Sequence, residues 1–192
     1  MKHLTSRMLL SYWDALRGER AAPERADIVP GAIRQILADT FILSAEPDGE
    51  PCFRLAGTRC CAVFGTSLKD QTLASLWPED KRLEVGRHVD LVAAETAGLV
   101  MGLLGTAENG WTMELEMLLL PLRHRGNTGS RVLGAVAPLD VPSWTGLIPI
   151  RHVETTSLRV VQSSRERRYI QNPKDNPASR RSRFVVLEGG LR

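Results

Sequence analysis

Sulfur, aromatic rings and long apolar runs are all scarce in this chain of 192 residues. It has only three cysteines, Cys52, Cys60 and Cys61. The number is odd, the last two are adjacent and no CxxC spacing occurs, which argues against a disulfide framework, a zinc site or a dithiol redox centre. They read as reduced thiols buried in a cytosolic core. No window approaches the roughly 18–20 uninterrupted apolar residues of a membrane-spanning helix. The longest candidate, residues 91–104, is broken by Glu95, Thr96 and two glycines. The opening residues, MKHLTSR, turn polar too soon for a secretory signal, so a cytoplasmic protein with no transmembrane segment is expected. GxSxG and HExxH are absent as well, which removes the usual signatures of an esterase elbow and a zinc peptidase. The chain is not expected to be an enzyme.

What is present begins with charge. There are 25 Lys+Arg against 22 Asp+Glu, a formal +3. Residues 1–150 hold 15 basic and 18 acidic side chains, whereas residues 151–192 hold 10 and 4. The positive excess belongs to the tail, attached to a slightly acidic body.

Leu4, Met8, Leu9, Tyr12, Trp13 and Leu16 recur at helical spacing, so residues 4–16 read as an amphipathic helix stopped by Gly18. A charged, proline-punctuated connector follows. Pro30 suits the first position of a short helix bearing Ile33, Ile36 and Leu37. Residues 40–43 and 52–55 flank the turn Pro47-Asp48-Gly49-Glu50 and predict a β-hairpin. Residues 57–65 hold one or two helical turns between glycines. Trp77-Pro78-Glu79-Asp80 opens a longer helix whose apolar face carries Val85, Val89 and Val92. Three strands follow, at 99–106, 111–120 and 131–139, the first two joined through Glu108-Asn109-Gly110, a strong hairpin signal. Residues 123–130 read as a polar loop. With no βαβα alternation, the class expected is α+β: a five-stranded antiparallel sheet with helices packed on one face. Residues 147–161 keep enough apolar spacing for one more element. After about 162 the chain is Arg-rich and proline-broken, which predicts disorder.

This order of elements is that of a PAS domain, and particular strings carry the likeness further. They are LSYWDALRG at 10–18, IVP at 28–30, FRLAGT at 53–58, Phe64-Gly65 with Leu76-Trp77, and EMLLLPL at 116–122. Together they resemble the compact PAS-like family of alphaproteobacteria formerly known as a domain of unknown function. The resemblance covers about residues 7–140. It implies a single-domain, cytoplasmic sensory and regulatory module that signals through protein–protein contacts or as a dimer. The expected organisation is an N-terminal helix and connector (1–29), a PAS-like core (30–140) and a basic C-terminal extension (141–192).

Candidate sites follow from the pattern and the resemblance. Phe53, Leu55, Phe64, Trp77, Val89, Met101, Leu103, Met113, Leu115 and Met117 either line a small apolar ligand's cavity between sheet and helices or fill it. Met8, Leu9, Tyr12, Trp13 and Leu16 form the expected partner or dimer surface. His88 flanks the apolar side of the long helix, where the resemblance places the axial ligand of haem-binding relatives. Cys60 and Cys61 fall in the region of the photoactive cysteine of light-sensing relatives, without its flanking pattern. No bound cofactor and no metal are expected, His88 mattering only if haem is bound. Glu114 and Glu116, two apart on one strand face, are either a paired acid site or an exposed sheet face. Arg165, Arg167, Arg168, Arg180, Arg181 and Arg183 suit nucleic-acid or lipid phosphates, or a solvated tail. Phe184-Val185-Val186-Leu187 is an apolar island and a candidate docking motif.

Overall fold

The computed structural model describes residues 1–45, 49–95 and 97–161. The expected turn residues Pro47 and Asp48, the arginine cluster and the Phe184 island lie outside the described residues. Helix α1 spans Leu4–Arg17, α2 Thr58–Phe64 and α3 Arg82–Glu95. The strands are β1 Thr40–Ser44, β2 Cys52–Ala56, β3 Gly98–Ala107, β4 Thr112–His124, β5 Asn127–Pro138 and β6 Ile150–Val161. They form one antiparallel sheet in the order β2-β1-β5-β4-β3-β6. The α+β PAS-like fold is thus as expected, with six strands rather than five. β6 pairs along β3 and carries the sheet past residue 140, the expected core boundary.

The polar loop expected at 123–130 is instead the tip of a long hairpin. β4 and β5 pair as far as His124 and Asn127, across a turn in which Arg125 and Gly126 both take positive φ (53° and 82°). That geometry matches the right-handed twist of the flanking strands. Polar side chains are no bar to strand pairing where the hairpin end projects from the core.

Each face of the sheet has its own core. Along β4 the odd positions Met113, Leu115, Met117 and Leu119 face a cluster that includes Phe53, Phe64, Trp77, Val85, Val89 and Val92, contributed partly by α2 and α3. The even positions Leu118, Leu120 and Leu122 join Val100, Leu133 and Ala135 on the opposite face, under Leu9, Trp13, Ile28, Ile33 and Ile36. Helices therefore do not pack on one face only, because α1 and the connector cover the second. The apolar even positions after Glu116 require such a cover: burying a Leu-sized side chain contributes about 1.5–3 kcal/mol over leaving it in water.

Candidate functional site

The N-terminal helix is held by three kinds of contact. Leu9 and Trp13 are buried against the sheet. The Trp13 indole donates a 2.7 Å hydrogen bond to the Pro121 carbonyl, and Arg17 stacks over the Trp13 ring at 5.3 Å. At the other end, the Glu116 carboxylate reaches up from β4 and accepts hydrogen bonds from the backbone N–H groups of Lys2 (2.6 Å) and His3 (3.0 Å). Residues just before a helix carry unsatisfied donors, and an anion there is stabilised by them. Burial alone would push the Glu116 carboxyl up. The Lys2 N–H, the Ser6 hydroxyl and the His3 N–H outweigh it and hold the group below the ordinary glutamate range. The two carboxylates of β4 therefore have different fates, since Glu114 is exposed and Glu116 is a buried latch for α1.

A second polar junction lies beside the latch. Asp39, buried just before β1, takes a bidentate grip from Arg59 of α2: Nε to Oδ1 at 2.6 Å and Nη2 to Oδ2 at 2.7 Å. The Thr5 hydroxyl of α1 donates to the same Oδ2 at 3.3 Å. One carboxylate thus ties α1, α2 and the entry to β1 together. Alongside it opens a cleft of about 540 Å³, lined by His3, Asp39 and Arg59 on one side and by residues of the 137–146 segment on the other.

Nine of the ten expected cavity residues lie together in the larger core. Leu55 does not; it is 53% exposed. The pairing of β1 with β2 slips at Arg54, with Ile42 opposite Leu55 but Leu43 opposite Phe53. This bulge throws Phe53 and Leu55 to opposite faces. Leu55 lines instead a smaller cleft of about 290 Å³ with Ile28, Ile33 and Ile42. On α1, Leu9 and Trp13 turn to the chain's own sheet, so they are not available to a partner while the helix is docked. Met8, Tyr12 and Leu16 are half-buried, and the Tyr12 hydroxyl accepts from the Val29 N–H at 2.8 Å. His88 sits half-buried on α3 with its Nδ1 enclosed and without a hydrogen-bond partner. Neither cleft is lined by it. Cys60 is fully buried, and burial first, then the Asp39 charge, pushes its thiol up to about 12. Cys61 is half-buried. Among the described residues no cluster of His, Cys, Asp or Glu could hold a metal ion, and no helix is long and apolar enough to cross a membrane.

The sequence singled out Glu116 but not its role, and it did not single out His3, Asp39, Arg59 or Thr145. Their meeting depends on the packing of α1 against α2 and on where the chain runs after β5. No short-range spacing encodes either.

No curated protein matches the chain. Among solved structures it is similar to a Rhodobacter sphaeroides LOV protein at 15% identity and TM-score 0.42, covering 54% of this chain and 60% of that one. It is similar to the PAS domain of an HTR-like protein from Haloarcula marismortui at 18% identity and TM-score 0.40, covering 56% and 90%. A PAS domain from a Colwellia psychrerythraea protein matches at 15% identity and TM-score 0.39, covering 55% and 92%. The chain thus spans less than two thirds of the Rhodobacter protein. A family model described as a PAS domain matches residues 1–137, α1 included, and the chain belongs to that family.

Proposed function

We propose that this chain regulates a protein partner through the docking of α1, in the cytoplasm and without catalysis, and that a small ligand biases that docking. Membership of the PAS family supplies the coarse class, a sensory or regulatory module. The observation that carries the finer reading is the latch: a buried carboxylate holds the first residues of α1 while Leu9 and Trp13 seal an apolar sheet face. Such an element has two states with different surfaces. Docked, it offers its outer side, where Leu4 is 59% exposed. Undocked, it uncovers Val100, Leu118, Leu120 and Leu133. A ligand shifts such an equilibrium only through its different affinity for the two states.

Cross-linking mass spectrometry in the source cells, on wild-type chain and on Trp13→Ala, tests this. Cross-links from one stoichiometric partner to α1 or the face beneath it, changed at least severalfold by the substitution, are expected. Cross-links confined to other surfaces, or identical in both proteins, would overturn the reading.

A further inference from the structure

The cleft between α1, α2 and the 137–146 segment has an uneven hydrogen-bonding balance. Its one carboxylate, Asp39, is already paired within the chain: both oxygens are taken by Arg59, and Oδ2 also by Thr5. The donors are not. Arg59 spends Nε on Asp39 and shares Nη2 between Asp39 and the Gln35 carbonyl. Its Nη1 carries no bond among the described residues, and the side chain is 57% exposed. His3 accepts the Thr5 N–H on Nδ1 at 3.1 Å, which in the neutral ring leaves the proton on Nε2. The Thr145 hydroxyl, on the opposite wall, is enclosed with no partner. The remaining walls are largely apolar, with Ala62 and Val63 facing Val141 and Pro142.

A site whose one anion is already paired, with unspent donors on Arg59, His3 and Thr145, suits a ligand that brings acceptors. A single unspent guanidinium edge suits one negative charge rather than two. Apolar walls and a volume of about 540 Å³ suit a compact apolar body. We propose that this cleft binds a small monocarboxylate, its carboxylate on Arg59 Nη1 and the His3 side, its apolar body against Val63 and Val141. The site borders the interior cluster, sharing Val63 with it, and none of the ten residues expected to line a cavity takes part in it. His3 also donates its backbone N–H to Glu116, so the ligand would rest on the residue that closes the latch. Only that link to α1 rests on the proposed function; the binding site does not.

The test uses the full chain, 15N-labelled, titrated separately with 4-phenylbutyrate, the isosteric alcohol 4-phenylbutan-1-ol and 4-phenylbutyl phosphate. Saturable shifts at the amides of Ala62, Val63 and 143–146 are expected with the carboxylate, which should bind about tenfold tighter than the alcohol. Arg59→Gln should lose about that factor. Because it also strips Asp39 of its partner, two surface changes accompany it. Ala62→Phe fills the cleft, and Val141→Asp, at a position 73% exposed, repels an anion. Each should weaken the carboxylate severalfold or more, and Val141→Asp should spare the alcohol. No saturable shift, equal binding of carboxylate and alcohol, tighter binding of the phosphate, or indifference to Ala62→Phe would each overturn the proposal. Once the site is saturated, slower hydrogen exchange in α1 supports the ligand bias proposed above. Unchanged exchange would overturn that bias and leave the site standing.

Discussion

The indole N–H of Trp13 ends on the carbonyl oxygen of Pro121, 2.7 Å away, at the point where β4 outruns its neighbour β3. Pairing of β3 with β4 stops at Leu99 opposite Leu119. A proline in a central strand would cost a ladder hydrogen bond, but past that point β3 supplies no partner. The indole serves the carbonyl instead. Trp13→Phe keeps most of the packing and removes the donor. It should lower unfolding stability by about 1–3 kcal/mol, the usual cost of leaving a buried acceptor unserved. Leu9→Ala, which opens a hole in the same interface, should cost about 2–5 kcal/mol. Urea unfolding followed by tryptophan fluorescence measures both. A Trp13→Phe protein as stable as wild type would show that the bond does not hold α1.

How far this could be read beforehand differs by element. Residues 4–16 show their helix because Leu9 and Trp13 recur with its period, and Gly18 stops it with φ 57°. The Asn109-Gly110 turn is equally plain, Gly110 taking φ 82°. Which surface the α1 stripe would meet was not legible, because the same stripe serves a partner or the chain's own sheet. The answer lay in β4, where Leu118, Leu120 and Leu122 leave the second face apolar. Leu55 escaped because alternation assumes an unbroken register, and a bulge at Arg54 breaks it. The Asp39–Arg59–Thr5 junction joins residues 20 and 34 positions apart, a distance at which sequence pattern carries no geometry.

Glu116 makes α1 docking sensitive to acid. Its folded carboxyl is held below the ordinary glutamate value, which is about 4.3 when unperturbed. A depressed pKa means stabilisation that is present above the unfolded value and lost as pH falls through the folded one. Glu116→Gln should therefore destabilise the protein at pH 7, by about 1–3 kcal/mol. Its stability curve should converge with that of wild type as the pH drops below about 4. Urea midpoints measured from pH 7 to pH 3 give the comparison. Parallel curves over that range would show that Glu116 is not the titrating latch.

The cysteines should separate by reactivity. The thiolate is the nucleophile, and a thiol pushed up to about 12 by burial and by the Asp39 charge is almost wholly protonated at pH 8. Cys52 and Cys61 are half-buried. Iodoacetamide at pH 8, with peptide mass spectrometry, should label these two on the folded protein. Cys60 should react only at the rate of unfolding, accelerating with urea. Labelling of Cys60 as fast as its neighbour Cys61 would mean that α2 opens locally.

Gly134 and Phe41 test the packing of the larger core beneath β5. A Cβ on Gly134 would overlap the rim of the Phe41 ring. That ring is 1% exposed and makes an edge-to-face contact with Phe53, centroids 5.2 Å apart at 69°. The ring cannot retreat without losing that contact, so Gly134→Ala should destabilise by about 1–3 kcal/mol through overpacking. Phe41→Leu alone leaves space and loses the aromatic pair, costing about 1 kcal/mol or more. In combination the leucine vacates the volume that the new methyl needs. The double variant should then be more stable than the sum of the single losses by about 0.5 kcal/mol or more, as expected of residues in direct contact. Chemical unfolding of the four proteins closes the cycle. Strict additivity would mean that the alanine methyl is accommodated by a shift of β5, and not at the expense of Phe41.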